Sequence, residues 1–97
     1  MLSASLVDII GWIGSASVVI AYALLSSNKV ISSSPTYQLL NLVGGICLVI
    51  NTFYHGAYPS TLVNVVWAAI AISALARVGH VSFERRDNKF AAKPHKE

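Results

Sequence analysis

Three apolar runs organise the chain: Ile9–Leu25, Tyr37–Tyr54, and a third from Pro59 to Ala76. Polar, turn-forming residues separate them. The first break runs from Ser26-Ser27-Asn28-Lys29 through Ser32-Ser33-Ser34-Pro35, and the second is His55-Gly56-Ala57-Tyr58-Pro59-Ser60. The runs hold eight, nine and seven residues of the Ile/Leu/Val/Phe class. At roughly −0.3 to −0.6 kcal/mol each, these residues favour insertion by about −2 to −5 kcal/mol per helix before polar costs. The pattern predicts an all-α membrane protein with three transmembrane helices, at about 9–25, 37–54 and 59–76, forming a domain over 1–76.

Charge sharpens this picture. Only Asp8 and Lys29 lie before position 77, and 47 uncharged residues separate Lys29 from Arg77. That stretch is too long for one crossing of roughly 20 residues and suits two. With 55% hydrophobic residues, 11% charged residues and a mean hydropathy of +0.61, a soluble domain is not expected, since such domains carry about a quarter charged residues. A single cysteine excludes a disulfide-stapled scaffold. The first run lacks a basic segment before it and an evident small-residue cleavage site, so it reads as a retained helix and not as a secretory signal.

All seven Lys and Arg residues fall in the first loop or after position 76. By the positive-inside rule this places the N-terminus outside and the C-terminus in the cytoplasm of a cell in which the protein is a multi-pass component of the inner membrane. Residues 77–97 form a basic tail, expected to be flexible beyond its first turns. It serves either as a topology anchor or as a site for anionic lipid or protein.

In lipid, packing faces are built from small and polar residues. At helical spacing the first helix carries Gly11, Gly14, Ser15, Val18 and Tyr22 on one stripe, with Ile9, Ile13, Ile20 and Leu24 opposite. The second aligns Asn41, Gly44, Leu48 and Asn51, with Gly45 and Thr52 beside them; Cys47 points with the aliphatic side. The third aligns Asn64, Trp67, Ala68, Ala71 and Leu75, and Ser73 is expected to bond back to its own backbone. Depth relative to the loops pairs Asn51 with Asn64 and Tyr22 with Asn41. A buried amide in hydrocarbon needs a partner, so these residues are either interhelical glue or two polar layers lining a solute path. Trp67 is either core packing or a stacking surface.

Other chemistry is sparse. His55, His80 and His95 have no metal-ligand spacing, and no metal or cofactor is expected. Asp8 sits where a carboxylate favours a helix N-terminus, and a proton-coupling role for it has little support. No grouping of base, nucleophile and oxyanion donors and no phosphate loop is present, so an enzyme is not expected, nor is nucleic acid a partner.

The stretch Tyr37-Gln-Leu-Leu-Asn41, with Gly44, Asn51, Tyr54-His-Gly56, Pro59-Ser60, Asn64 and Trp67, resembles a family of small uncharacterised bacterial membrane proteins with three helices, labelled membrane proteins or permeases. The layout is also distantly similar to the SemiSWEET sugar transporters, three-helix protomers that dimerise around one path. That resemblance implies a SemiSWEET-like bundle with Asn64 as a substrate contact. Two positions depart from it: Val19-Ile20-Ala21-Tyr22-Ala23 replaces a Pro-Gln hinge, and Leu48 stands near the place of a second-helix tryptophan.

Two functions follow as expectations. The first is a homodimeric carrier in the lipid bilayer for a small polar solute. Asn64 and Trp67 would contact the solute, and Asn51, Asn41 and Tyr22 would line or gate the path. The second is a non-transporting accessory or structural subunit of a larger membrane complex.

Overall fold

The computed structural model describes residues 2–92, with side chains through Gly79. Three helices follow one another: α1 (Ala4–Ser26), α2 (Pro35–Tyr54) and α3 (Tyr58–Ala92). Each contains a segment long and apolar enough to cross a membrane, of 23, 20 and 22 residues respectively, the last being Tyr58–Gly79.

Local chemistry sets the ends. α1 begins five residues before its apolar run because Ser3 caps it, its hydroxyl accepting from the Leu6 N–H at 3.1 Å. Asp8 therefore lies in the second helical turn and does not mark the helix start. At the other end Asn28 adopts a left-handed φ of 62°, and the Lys29 and Asn28 N–H groups donate to the Leu24 and Leu25 carbonyls at 2.9 and 3.1 Å. This is a Schellman closure, with Asn in the place glycine usually takes. α2 starts on Pro35 at its first turn. It ends in the same way at Gly56 (φ 71°), where the Ala57 N–H reaches the Thr52 carbonyl at 2.8 Å. Only His55, Gly56 and Ala57 separate α2 from α3, which forces the two helices side by side.

α3 continues through Ala92, where the sequence reading ended the third helix at Ala76 and gave the remainder to a flexible tail. The charges after Arg77 end the bilayer-compatible stretch but not the helix, because Arg, Glu, Lys and Ala favour helical backbone. Pro94 is the first residue that opposes it. The tail residues Lys93, His95, Lys96 and Glu97 lie outside the described residues.

α2 is the middle element. α1 and α3 pack on faces of α2 about 100° apart, at Gly44 and Gly45 respectively, and among the described residues the backbones of α1 and α3 do not approach each other closely. Burial follows heptad-like spacing. On α1 the buried line is Val7, Gly11, Gly14, Ser17 and Ala21; on α3 it is Ala68, Ala71 and Ala74. α2 buries Gln38, Asn41, Gly44 and Gly45 because it must serve two neighbours.

The α1–α2 contact is the closer of the two. A methyl built on Gly14 would lie 2.7 Å from Cys47 Cβ and 3.1 Å from the Gly44 carbonyl, and one on Gly44 would lie 2.5 Å from Val18 Cγ2. Such backbone approach is what small residues permit in a bilayer. Across α2–α3 the corresponding point is Gly45 against Ala68, where an added Cβ would lie 3.1 Å from the alanine methyl.

Several faces differ from the sequence expectation. Ser15 and Tyr22 are exposed, Tyr22 at 68%, while Ser17 and Ala21 hold the buried line. Closest approach selects the smallest side chains along the groove, and this turns the packing stripe one residue back from the polar one. Cys47 packs toward α1 at Gly14 and not with the aliphatic side. The hydroxyl that bonds back within its own helix near mid-span is Ser17, to the Ile13 carbonyl at 2.9 Å; Ser73 is exposed.

Candidate functional site

The two sides of α2 carry different polar chemistry. Toward α1, Asn51 points its amide across the interface, and Nδ2 donates to the Val7 carbonyl at 3.0 Å. Gly11 makes room for it, since a Cβ at that position would collide with the Asn51 amide. Asn51 does not meet Asn64. The depth argument fixes height along the helix but not direction around it, and position 51 shares a face with 44 and 47, which look at α1. Toward α3, one turn nearer the loop, the pair that meets is Thr52 and Thr61. The Thr61 hydroxyl donates to Thr52 Oγ1 at 2.9 Å, and the Thr52 hydroxyl donates to the Leu48 carbonyl at 2.6 Å.

Two clefts open on α2, at opposite ends, one toward α3 and one toward α1. The first lies between α2 and α3, at the end carrying the α1–α2 loop. It has a volume of about 200 Å³ and is lined by Ser32, Tyr37, Gln38, Asn41, Trp67, Ile70 and Ala71. Asn41 is 6% exposed; its amide makes no hydrogen bond among the described residues, and its polar atoms stay open to the cleft. Gln38, 8% exposed, is held in place because Nε2 donates to the Ser32 carbonyl at 2.7 Å, leaving its carbonyl oxygen free. The Trp67 indole, half-exposed on α3, closes one wall. Amide donors and acceptors beside a flat aromatic face, with no formal charge among the lining residues, suit a neutral hydrogen-bonding molecule.

The second cleft lies between α1 and α2, at the end carrying the α2–α3 loop. Its volume is about 270 Å³, and Asp8, Gly11, Trp12, Ser15, Leu48, Asn51 and His55 line it. The Asp8 carboxylate lies 3.5 Å from His55 Nε2, with both side chains about half-exposed. This contact is an ion pair only when the imidazole is protonated. Tyr54 packs edge-on against the same ring, with centroids 5.3 Å apart.

The sequence-derived residues therefore divide. Asn41 and Trp67 come together in the first cleft, and Asn51 and Ser15 in the second. Gly11, Gly14, Gly44 and Gly45 sit at helix contacts. Asn64 is half-buried on α3 and lines neither cleft, and Tyr22 faces outward. Sequence reasoning passed over Gln38, although it sits one turn before Asn41 on the same stripe. It also missed the Asp8–His55 contact, which joins residues 47 positions apart.

A small all-helical protein, with three helices each suited to membrane insertion and polar clefts between them, is the class this fold defines. Residues 7–81 match the model of a small uncharacterised family, and the chain belongs to that family. No curated protein and no solved structure matches the chain, and no similarity to SemiSWEET carriers is shown.

Proposed function

We propose that the protein is a non-enzymatic, multi-pass inner-membrane protein that works as a homodimeric carrier of a small, neutral polar solute, with its N-terminus outside and its C-terminus cytoplasmic. The observation that carries this reading is Asn41: a residue 94% buried whose amide makes no hydrogen bond among the described residues and stays open to a cleft shared with Gln38 and Trp67. An unsatisfied amide in hydrocarbon is costly by several kcal/mol in the absence of a partner, and a bound solute or water supplies one. The separation of α1 and α3 supports the dimer. One copy leaves these helices apart, and a second copy placed by two-fold symmetry completes a path between the two copies, the arrangement the SemiSWEET resemblance implies. Asn64, half-buried two turns from Ala71, is placed in this reading as a lining residue further along the path, and Tyr22 as a contact to the second copy. The distribution of Lys and Arg supports the orientation.

The Asn51–Val7 bond favours a second reading, an accessory subunit whose amides hold helices together for a larger complex. Purification in mild detergent followed by reconstitution separates the two. A homodimer that takes up at least one neutral polyol, amide or nucleoside from a defined panel, and loses this uptake in Asn41→Leu and Trp67→Ala, supports the carrier. A stoichiometric larger partner, with no uptake above empty vesicles, supports the subunit and overturns the carrier.

A further inference from the structure

The cleft between α1 and α2 contains the only carboxylate before residue 84. Its lining combines that carboxylate with neutral acceptors. Asp8 offers its charged oxygens, and Ser15, about 10 Å further along α1, offers a hydroxyl at the other end of the cleft. Asn51 must present its nitrogen to the Val7 carbonyl, because a carbonyl can only accept, and this leaves the Asn51 Oδ1 free to accept in turn. Trp12, one helical turn after Asp8, adds an indole whose electron-rich face attracts a cation. Among the described residues no cation satisfies this arrangement. Lys29 sits in the α1–α2 loop and Arg77 about 28 Å along α3 from its start, both at the far end of the bundle. His55 meets Asp8 as a cation only when protonated.

We infer that this cleft binds a primary ammonium group that donates to the Asp8 carboxylate and to Asn51 Oδ1, with its charge lying against Trp12. A quaternary ammonium has the charge but no donors, and a neutral solute can donate but has no charge; both fit less well. The same ammonium chemistry comes from two sources, the headgroup of an ethanolamine phospholipid or a free small amine. The cleft lies at the end of α1 and α2, where headgroups meet a spanning helix, and it is about 15 Å along α2 from Asn41. The ammonium site is therefore separate from the amide cleft and independent of whether that cleft carries a solute.

The test uses the full chain in nanodiscs made only of phosphatidylglycerol, which has no ammonium group, with Trp67→Phe leaving Trp12 as the sole tryptophan reporter. Ethanolamine should saturably change Trp12 emission, and tetramethylammonium or sodium chloride at equal ionic strength should not. Asp8→Asn should weaken ethanolamine binding at least tenfold, and Asp8→Glu should restore part of it. In the lipid arm, phosphatidylethanolamine should be retained through purification by the native chain more than by Asp8→Asn. Retention of the lipid without ethanolamine binding assigns the headgroup; ethanolamine binding without retention assigns the free amine. Absence of both, or binding equal in Asp8→Asn and the native chain while both remain helical by circular dichroism, overturns the proposal.

Discussion

The two interfaces of α2 solve the same problem by different means. On the α1 side, Gly14 and Gly44 bring backbones together, and Asn51 spends its amide on the Val7 carbonyl. On the α3 side, Gly45 meets Ala68, a threonine pair makes the polar link near the loop, and Asn41 and Gln38 face an opening. Close approach at Gly14 and Gly44 shuts the middle of the α1 side, so its cleft opens only toward the α2–α3 loop, whereas the α3 side opens toward the α1–α2 loop. Asparagine alone therefore does not define a site: the Asn51 nitrogen is held by packing and the Asn41 amide is not.

This contrast can be broken by substitution. The largest effect is expected at Gly44→Val, where the new side chain meets Val18 and the Gly14 carbonyl. Overpacking of this kind costs about 1–3 kcal/mol, read as loss of helical signal at lower denaturant in detergent. Gly45→Ala, the equivalent change on the α3 side, sets a methyl 3.1–3.3 Å from the Ala68 Cβ, backbone N and Cα, a milder crowding that should cost about 1 kcal/mol. If Gly45→Ala proved as damaging as Gly44→Val, the difference in closeness between the interfaces would have no energetic meaning.

Smaller effects sharpen the same point. Asn51→Leu removes the interhelical bond to Val7, and such bonds average about 0.6 kcal/mol in membranes, with a maximum near 1.7. Thr61→Val removes the bond to Thr52, so it should cost the average of about 0.6 kcal/mol in the same unfolding assay. The smallest stability change is expected for Asn41→Leu, at most a few tenths of a kcal/mol and of either sign, because no intrachain bond is lost and an unpartnered polar group is removed. Asn51→Leu should then leave solute uptake less affected than Asn41→Leu, a reversal of their order in stability.

Much of the architecture was legible in composition. The apolar runs and charge-free stretches gave three helices because insertion depends on summed side-chain transfer energy, and this is a property of sequence alone. Helix ends were less legible. Ser3 as an N-cap and Asn28 in a left-handed turn extend or close helices through single hydrogen bonds that hydropathy does not register. Direction around each helix axis was the weakest reading. The sequence showed that Asn51 and Asn64 share a depth, but not that α2 sits between its neighbours, so two residues at one height can face different ways. Ser15 and Tyr22 were placed on the wrong line for a related reason: polarity and smallness both mark a packing face, and on α1 smallness decides.

The position of α2 between helices whose backbones stay apart has a consequence for biogenesis. Every contact of the α1–α2 hairpin is made by residues that leave the ribosome before α3 does, so the hairpin can form before the last two fifths of the chain has emerged. α3 then docks onto a finished surface and is not required to thread between two partners.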